Sequence, residues 1–282
     1  MRRHLPALCA LLLASSPSFG ATAAVSECMG GAATHPASLF GHFDVIELRR
    51  YPVAPGERPA FATYYESWFP EAFEQLGSLI FGEFFERGTQ NNFTWMRGFH
   101  TVEDRAIVDA EFYYGPVWRE HKDLANSLLP GVDDNVLELH ALNARTAVPA
   151  MPAVNPVTEP AGAQGVVVAE IYAVKKEELQ PFSARALRAF SHYDVPGIRP
   201  AGVLVTLDTP NNFPLLPFRT DGPFLVALHI LRNESVLKDT FDPLLARTKQ
   251  ELTITGMLRR PPEILVLNPA KRSRLRWLPA CK

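Results

Sequence analysis

Four prolines between Asn143 and Gly165, at Pro149, Pro152, Pro156 and Pro160, most constrain what this chain can fold into. Proline fixes φ and removes a backbone donor, so a segment that carries it every three or four residues joins neither a helix nor a sheet interior. Residues 143–165 therefore read as an extended linker. The linker divides the chain into two stretches of similar length, 42–142 and 166–270, and each has to build its own strands and helices.

Both stretches carry the same order of signals. In the first, period-2 alternation predicts a strand over 43–53, ended by Pro55-Gly56. A helix follows over 57–76, broken at Trp68-Phe69-Pro70 and closed by Gly77. Strands over 79–87 and 92–100 flank the turn Gly88-Thr89-Gln90-Asn91. Thr101, with an acid three residues on, caps a second helix; Gly115-Pro116 interrupts it, and it resumes over 117–127 before a strand at 135–142. In the second stretch, strands are expected at 166–174, 202–208, 224–231 and 264–268, with helices at 175–193 and 233–253. The shared order βαββαβ is the ferredoxin-like arrangement. Its sheet is covered by helices on one face only, and the bare face needs a partner. The expected fold class is α+β: two tandem ferredoxin-like halves whose bare faces close on each other as an intramolecular dimeric α/β barrel.

Composition bounds the partners. The 282 residues carry a net charge of −2, which does not suit a nucleic-acid binder. The run Lys271 to Arg276, in a tail of residues 271–282, reads as solvated. At the other end, Arg2, Arg3 and His4 precede a short apolar run at 8–14 and an A-x-A site at Ala21-Thr22-Ala23. That pattern predicts a signal peptide over 1–23 and an exported product, periplasmic or secreted, with no membrane span after cleavage. Cys9 leaves with the signal. Cys28 and Cys281 remain near the two ends, where they either form one disulfide or stay as two free thiols. Their spacing offers no metal site.

The candidate chemistry sits on two strands. Phe93, Trp95, Arg97 and Phe99 share one face, so an arginine stands in an aromatic row. On the first strand, Glu47, Arg49 and Tyr51 share a face opposite Ile46 and Leu48. With the aliphatic row packed on helices, Glu47, Arg49, Tyr51, Trp95 and Arg97 are expected to face the barrel interior. Two readings follow. These residues bind an anionic or carbonyl-bearing small molecule, anchored by Arg97 or Arg49. Alternatively Glu47 pairs with Arg97 or Arg49 and the charges are structural. His100, at the end of its strand, and Glu47 are the candidates for proton transfer. Tyr113 and Trp118 are candidates for ligand contact or for core packing. His121, His140 and His229 lack metal-ligand spacing, and no metal or cofactor is expected; haem, with His229 or His140 as axial ligand, is the disfavoured option.

At these residues the chain resembles the NIPSNAP family of the dimeric α/β-barrel superfamily. The resemblance rests on Ile46-Glu47-Leu48-Arg49-Arg50-Tyr51 with Pro55-Gly56, then Gly77, Gly82 with Phe84, and Trp95-Met96-Arg97-Gly98-Phe99. It continues through Asp104-Arg105, Phe112-Tyr113 and Gly115-Pro116-Val117-Trp118. In the second stretch Asn211-Asn212-Phe213-Pro214, Leu216-Pro217 and Arg219 look like bacterial tandem-repeat members, so the likeness spans 43–270. It implies a fold rather than a reaction, and whether the chain is an enzyme stays open. The expectation is a small-molecule pocket between the two halves. A cofactor-free oxygenase or isomerase and a non-catalytic structural or interaction protein are the alternatives, and a homo-oligomer is compatible with each. The second half departs from the first: its third strand, Phe224 to His229, has no counterpart of Trp95 and Arg97, so the chemistry is expected mainly in the first half.

Overall fold

The strands of the first half are β1 (Val45–Pro52), β2 (Leu79–Glu86), β3 (Asn92–Phe99) and β4 (Val136–Ala141). Those of the second are β5 (Val166–Ala173), β6 (Ile198–Thr206), β7 (Phe224–Leu231) and β8 (Glu263–Pro269). The helices are α1 (Arg58–Gln75), α2 (Val102–Tyr113), α3 (Pro116–Leu128), α4 (Leu179–Phe190) and α5 (Asp242–Thr253); a π-helical turn, Val236–Phe241, leads into α5. This computed structural model describes residues 42–130 and 135–278; the signal stretch 1–23, Cys28 and Cys281 lie outside the described residues.

The strands close into one antiparallel barrel in the order β1-β3-β2-β8-β5-β7-β6-β4. The halves join at two seams, β2 with β8 and β4 with β6. The interior is mostly aliphatic, with Phe81, Phe84 and Phe224 among its side chains. Ile46, Leu48, Met96 and Leu139 from the first half meet Val167, Ile171, Val226 and Leu228 from the second, all buried. No described helix is long and apolar enough to cross a membrane.

Several local expectations shift. α1 runs through Pro70 rather than breaking there. Proline cannot donate to the carbonyl four residues back, and that carbonyl, of Glu66, accepts from Arg272 Nη1 at 2.5 Å instead. Gly115-Pro116 does separate α2 from α3: Pro116 takes the first helical position, and a side chain at Gly115 would collide with the Glu111 carbonyl. β6 starts earlier than expected, because the chain re-enters the sheet before the bulge at Pro200/Gly202.

The linker and the basic run are not peripheral. Val148 and Met151 of the linker and Leu275 join the interior cluster, with Trp277 and Leu278 packed against it. The residues after β8 form a strap: Leu275 N–H donates to Phe81 O at 2.7 Å and Trp277 N–H to Gln164 O at 2.8 Å. Its arginines each meet an acid, Arg272 with Glu71, Arg274 with Glu74 and Arg276 with Glu159. The reading of this run as a solvated tail is therefore corrected: charge alone suggested solvent, but Leu275 between the arginines is an apolar anchor, and acids of α1 and the linker supply the countercharge. Leu275→Ala is expected to lower the unfolding free energy by about 2–3 kcal/mol in urea titrations; a loss below about 1 kcal/mol would mean that the strap only rests on the barrel.

Candidate functional site

The charged row of the first sheet faces the helices, not the barrel interior. Val45, Tyr51, Phe93, Trp95 and Phe99 pack with α1, α2 and α3, while Ile46 and Leu48 line the interior. The sequence reading had these faces reversed. Alternation shows that two faces differ without showing which is which. The opposite half lines the interior mostly with apolar side chains, and its Glu263 is already paired with Arg50 at 3.2 Å, so a further charged row there would be short of partners. α2 does offer partners, Arg105 and Asp109.

In β1, Glu47 lies opposite Arg97 of β3 on one side and Glu138 of β4 on the other. Glu47 Oε2 accepts from Arg97 Nε at 2.6 Å and Arg49 Nη1 at 2.8 Å, and its Oε1 accepts from Arg105 Nε at 2.7 Å. Arg105 Nε also lies 3.1 Å from Glu138. Arg97 Nη1 sits 2.8 Å from Asp109 Oδ1, in ion-pair range but not aligned as a hydrogen bond. Every one of these side chains is buried. Burial alone would raise the Glu47 carboxyl, yet Arg97, Arg49 and Arg105 hold it well below the usual carboxylate range. Burial pushes Glu138 up to about 7 against the pull of Arg105, with Glu47 and Asp109 adding to the rise. Asp109 is also raised by burial, against the pull of Arg97. The network therefore holds Glu47 toward its ionised form, while burial shifts its other two carboxyls the opposite way.

Beside this network lies a cavity of about 220 Å³, between the outer face of the first sheet and α1 and α3. Its walls are mostly rings: Tyr51, Phe61, Tyr65, Phe69, Phe73, Trp95, Phe112, Tyr113 and Trp118, with Arg49 at the ionic side. Leu215, Leu216 and Pro217, from the connection between β6 and β7, complete the wall. Two buried polar atoms of the lining side chains, Trp95 Nε1 and Tyr65 Oη, have no hydrogen-bond partner. A buried donor without a partner costs stability, so each of the two calls for an explanation.

Arg49, Tyr51, Trp95, Tyr113 and Trp118, expected as ligand contacts, thus line one cavity. It lies within the first half and not in a central space between the halves, the second half adding only one loop. Arg97 is not in its lining; it stands behind, with its guanidinium 4.8 Å from the Phe73 ring centre. Glu47 is the centre of the ionic network, so the sequence reading of paired charges holds for these residues. His100 is not brought to the site: it is exposed, stacks on Phe43 at 4.5 Å and bonds to His42 O. The sequence reading missed Arg105, Asp109 and Glu138. The first two share α2's buried stripe with Val108 and Phe112, and two opposite charges at i and i+4 inside an apolar stripe were the available signal.

In the second half the equivalent layer holds a different set of side chains. Glu170 pairs with His229 at 3.1 Å and accepts from Tyr172, under the rings of Tyr193 and Phe241. The two halves are as asymmetric as the sequence implied.

No family model matches the chain, and no curated protein matches it. Solved structures are similar to it. A candidate monooxygenase from Lactobacillus acidophilus is 12% identical, with 83% of this chain and 98% of that chain covered at a TM-score of 0.52. An anthrone oxidase-like protein is 9% identical, with 86% and 98% covered at a TM-score of 0.53. The expectation of no cofactor is not carried by the similar structures. A heme-binding protein from Thermus thermophilus is among the similar structures, 11% identical, with 81% and 91% covered at a TM-score of 0.43. The aromatic cavity does not fit that group: at about 220 Å³ it is below even the roughly 300–1,000 Å³ of drug-sized sites and has no room for a porphyrin. His229 is enclosed by aromatic rings and Glu170. What these likenesses show for this chain is its fold, the α+β closed barrel of the dimeric α/β-barrel proteins.

Proposed function

We propose that the first half of the barrel binds a small, flat, ring-bearing molecule with a hydrogen-bond acceptor, such as a ketone, enolate or carboxylate oxygen. The observation that carries this reading is the pairing of an aromatic cavity with the two partnerless atoms, Trp95 Nε1 and Tyr65 Oη. A volume of about 220 Å³ suits one or two fused rings, below the roughly 300–1,000 Å³ of drug-sized sites. The rings supply stacking and edge contacts, and Arg49 places positive potential at the ionic end. In the same reading the chain is a NIPSNAP-type protein of two tandem ferredoxin-like halves, supported by the strand orders β4-β1-β3-β2 and β8-β5-β7-β6 within the barrel. Should the bound ring also be transformed, oxygenation is the first reaction class to assay, given the names of the similar structures.

The test is titration with 1-tetralone and 1-naphthoate, followed by tryptophan fluorescence and calorimetry. Trp95→Phe is expected to weaken binding about tenfold, the worth of one good hydrogen bond to a buried donor. Without ligand the same variant is expected to lose about 1–2 kcal/mol through the smaller buried ring and nothing through the lost donor, which has no partner in the protein. Equal affinity of parent and Trp95→Phe would remove the donor from the reading. No binding of either probe to the parent would refute it altogether.

A further inference from the structure

The wall of the cavity that comes from the second half has an unusual attachment. Leu215, Leu216 and Pro217 lie in the connection between β6 and β7, and that connection is fastened to the first half through the Asn-Asn-Phe motif. Arg105 Nη1 donates to Asn212 Oδ1 at 2.8 Å and to Asn211 Oδ1 at 3.2 Å. Asn212 Nδ2 donates to Val102 O at 2.6 Å. Phe213 packs between the rings of Tyr113 and Tyr114, 6.0 and 6.2 Å away. At the far end, Arg219 N–H donates to Val136 O at 2.8 Å. Between these fastenings, among the described residues, 214–218 bond only within their own loop: Leu216 N–H to Phe213 O, and Asn211 Nδ2 to Leu216 O. The loop is thus pinned at two points and held over the cavity by side-chain contact alone. Leu216 is turned in, 9% exposed, while its neighbour Leu215 is 58% exposed.

A segment with few backbone bonds to its surroundings opens at low cost, whereas the ring-packed walls on α1 and β3 do not. We infer that residues 214–218 form a hinged cover contributed by the second half, which opens for ligand exchange and, closed, sets the largest ligand through Leu216. This rests on the ligand reading above. It also gives the second half a part in a site it otherwise lacks. Arg105 becomes a positioning residue: it joins the ionic network around Glu47 to the fastening of the cover, so both change together when it moves.

The experiment is stopped-flow fluorescence with 1-naphthoate on the full chain, together with affinities for one-, two- and three-ring carboxylates (benzoate, 1-naphthoate and 9-anthroate). Asn212→Ala is expected to raise the entry and exit rates together by about tenfold, with Kd changed less than about threefold. Leu216→Ala is expected to move the preference toward 9-anthroate by about tenfold relative to 1-naphthoate, and Leu215→Ala, at the exposed neighbour, to leave it unchanged. Unchanged rates in Asn212→Ala with unchanged size preference in Leu216→Ala would overturn the cover while leaving the ligand site standing, since the parent still binds. A parent that binds none of the probes would overturn both. If Asn212→Ala does not fold, Asn211→Ala carries the rate test and Leu216→Ala the size test.

Discussion

Glu47→Ala lowers the unfolding free energy by about 3–5 kcal/mol, the loss that follows when one partner of a buried ion pair is removed. The expectation is toward the upper end, because this one carboxylate serves Arg49, Arg97 and Arg105 together. Removing it takes the shared countercharge from three buried guanidinium groups, and burial holds the carboxyls beside Arg97 and Arg105, those of Asp109 and Glu138, toward their neutral forms. The effect has a pH signature. The Glu47 carboxyl is held below its ordinary value of 4.5, so its contribution is present above that value and is lost as pH falls below it. Urea titrations at pH 7 and pH 3 measure both: the gap between parent and variant is expected to be wide at pH 7 and to narrow on acidification. A gap below about 1 kcal/mol at pH 7 would show that the arginines find other partners and that Glu47 does not organise the network.

Glu83→Gln works in the opposite sense. Glu83 in β2 is 2% exposed, and no cation among the described residues is ion-paired with it. Burial pushes its carboxyl from 4.5 up to about 8, with Glu66 adding to the rise and Arg272 opposing it. The folded state then keeps a proton that the unfolded chain releases, so stability falls as pH rises from about 4.5 to about 8 and levels off above. The full fall is on the order of 4–5 kcal/mol for this one group. Glutamine, similar in shape and never charged, removes it. Glu83→Gln is expected to match the parent near pH 4 and to exceed it by several kcal/mol at pH 9. A parent as stable at pH 9 as at pH 5, with no gain in the variant, would mean that Glu83 reaches water or a countercharge when ionised.

The elements were legible because each announces itself within a few residues. Alternation marked β1 and β3, Thr101 with Asp104 marked the start of α2, and Pro116 marked the start of α3. The identity of the rows on β1 and β3 was legible too, and five of the six expected ligand contacts line one cavity. What was not legible is which way those rows face. The answer depends on partners far along the chain: Arg105 meets Glu47 across 58 residues and Asn212 across 107. A period of two is the same whichever face is wet, dry or charged. Pro70 misled for a similar reason. A proline normally ends a helix, and the group that makes this one tolerable, Arg272, arrives from beyond the last strand. His100 misled because strand ends are common places for catalytic bases, yet its neighbours are Phe43 and the His42 carbonyl.

The place of β8 has a consequence for how the chain is made. It pairs with β2 on one side and β5 on the other, so it is the stave that closes one seam of the barrel, and it is the last of the described strands in sequence. Until residues 263–269 have left the ribosome, β2 and β5 each present an unpaired edge, and the strap that anchors Leu275 does not yet exist. Exposed strand edges recruit other chains. A growing polypeptide of this kind therefore spends most of its synthesis as an unsealed sheet, and stalled or clipped products that stop before β8 are the species that a cell's chaperones and proteases would have to clear.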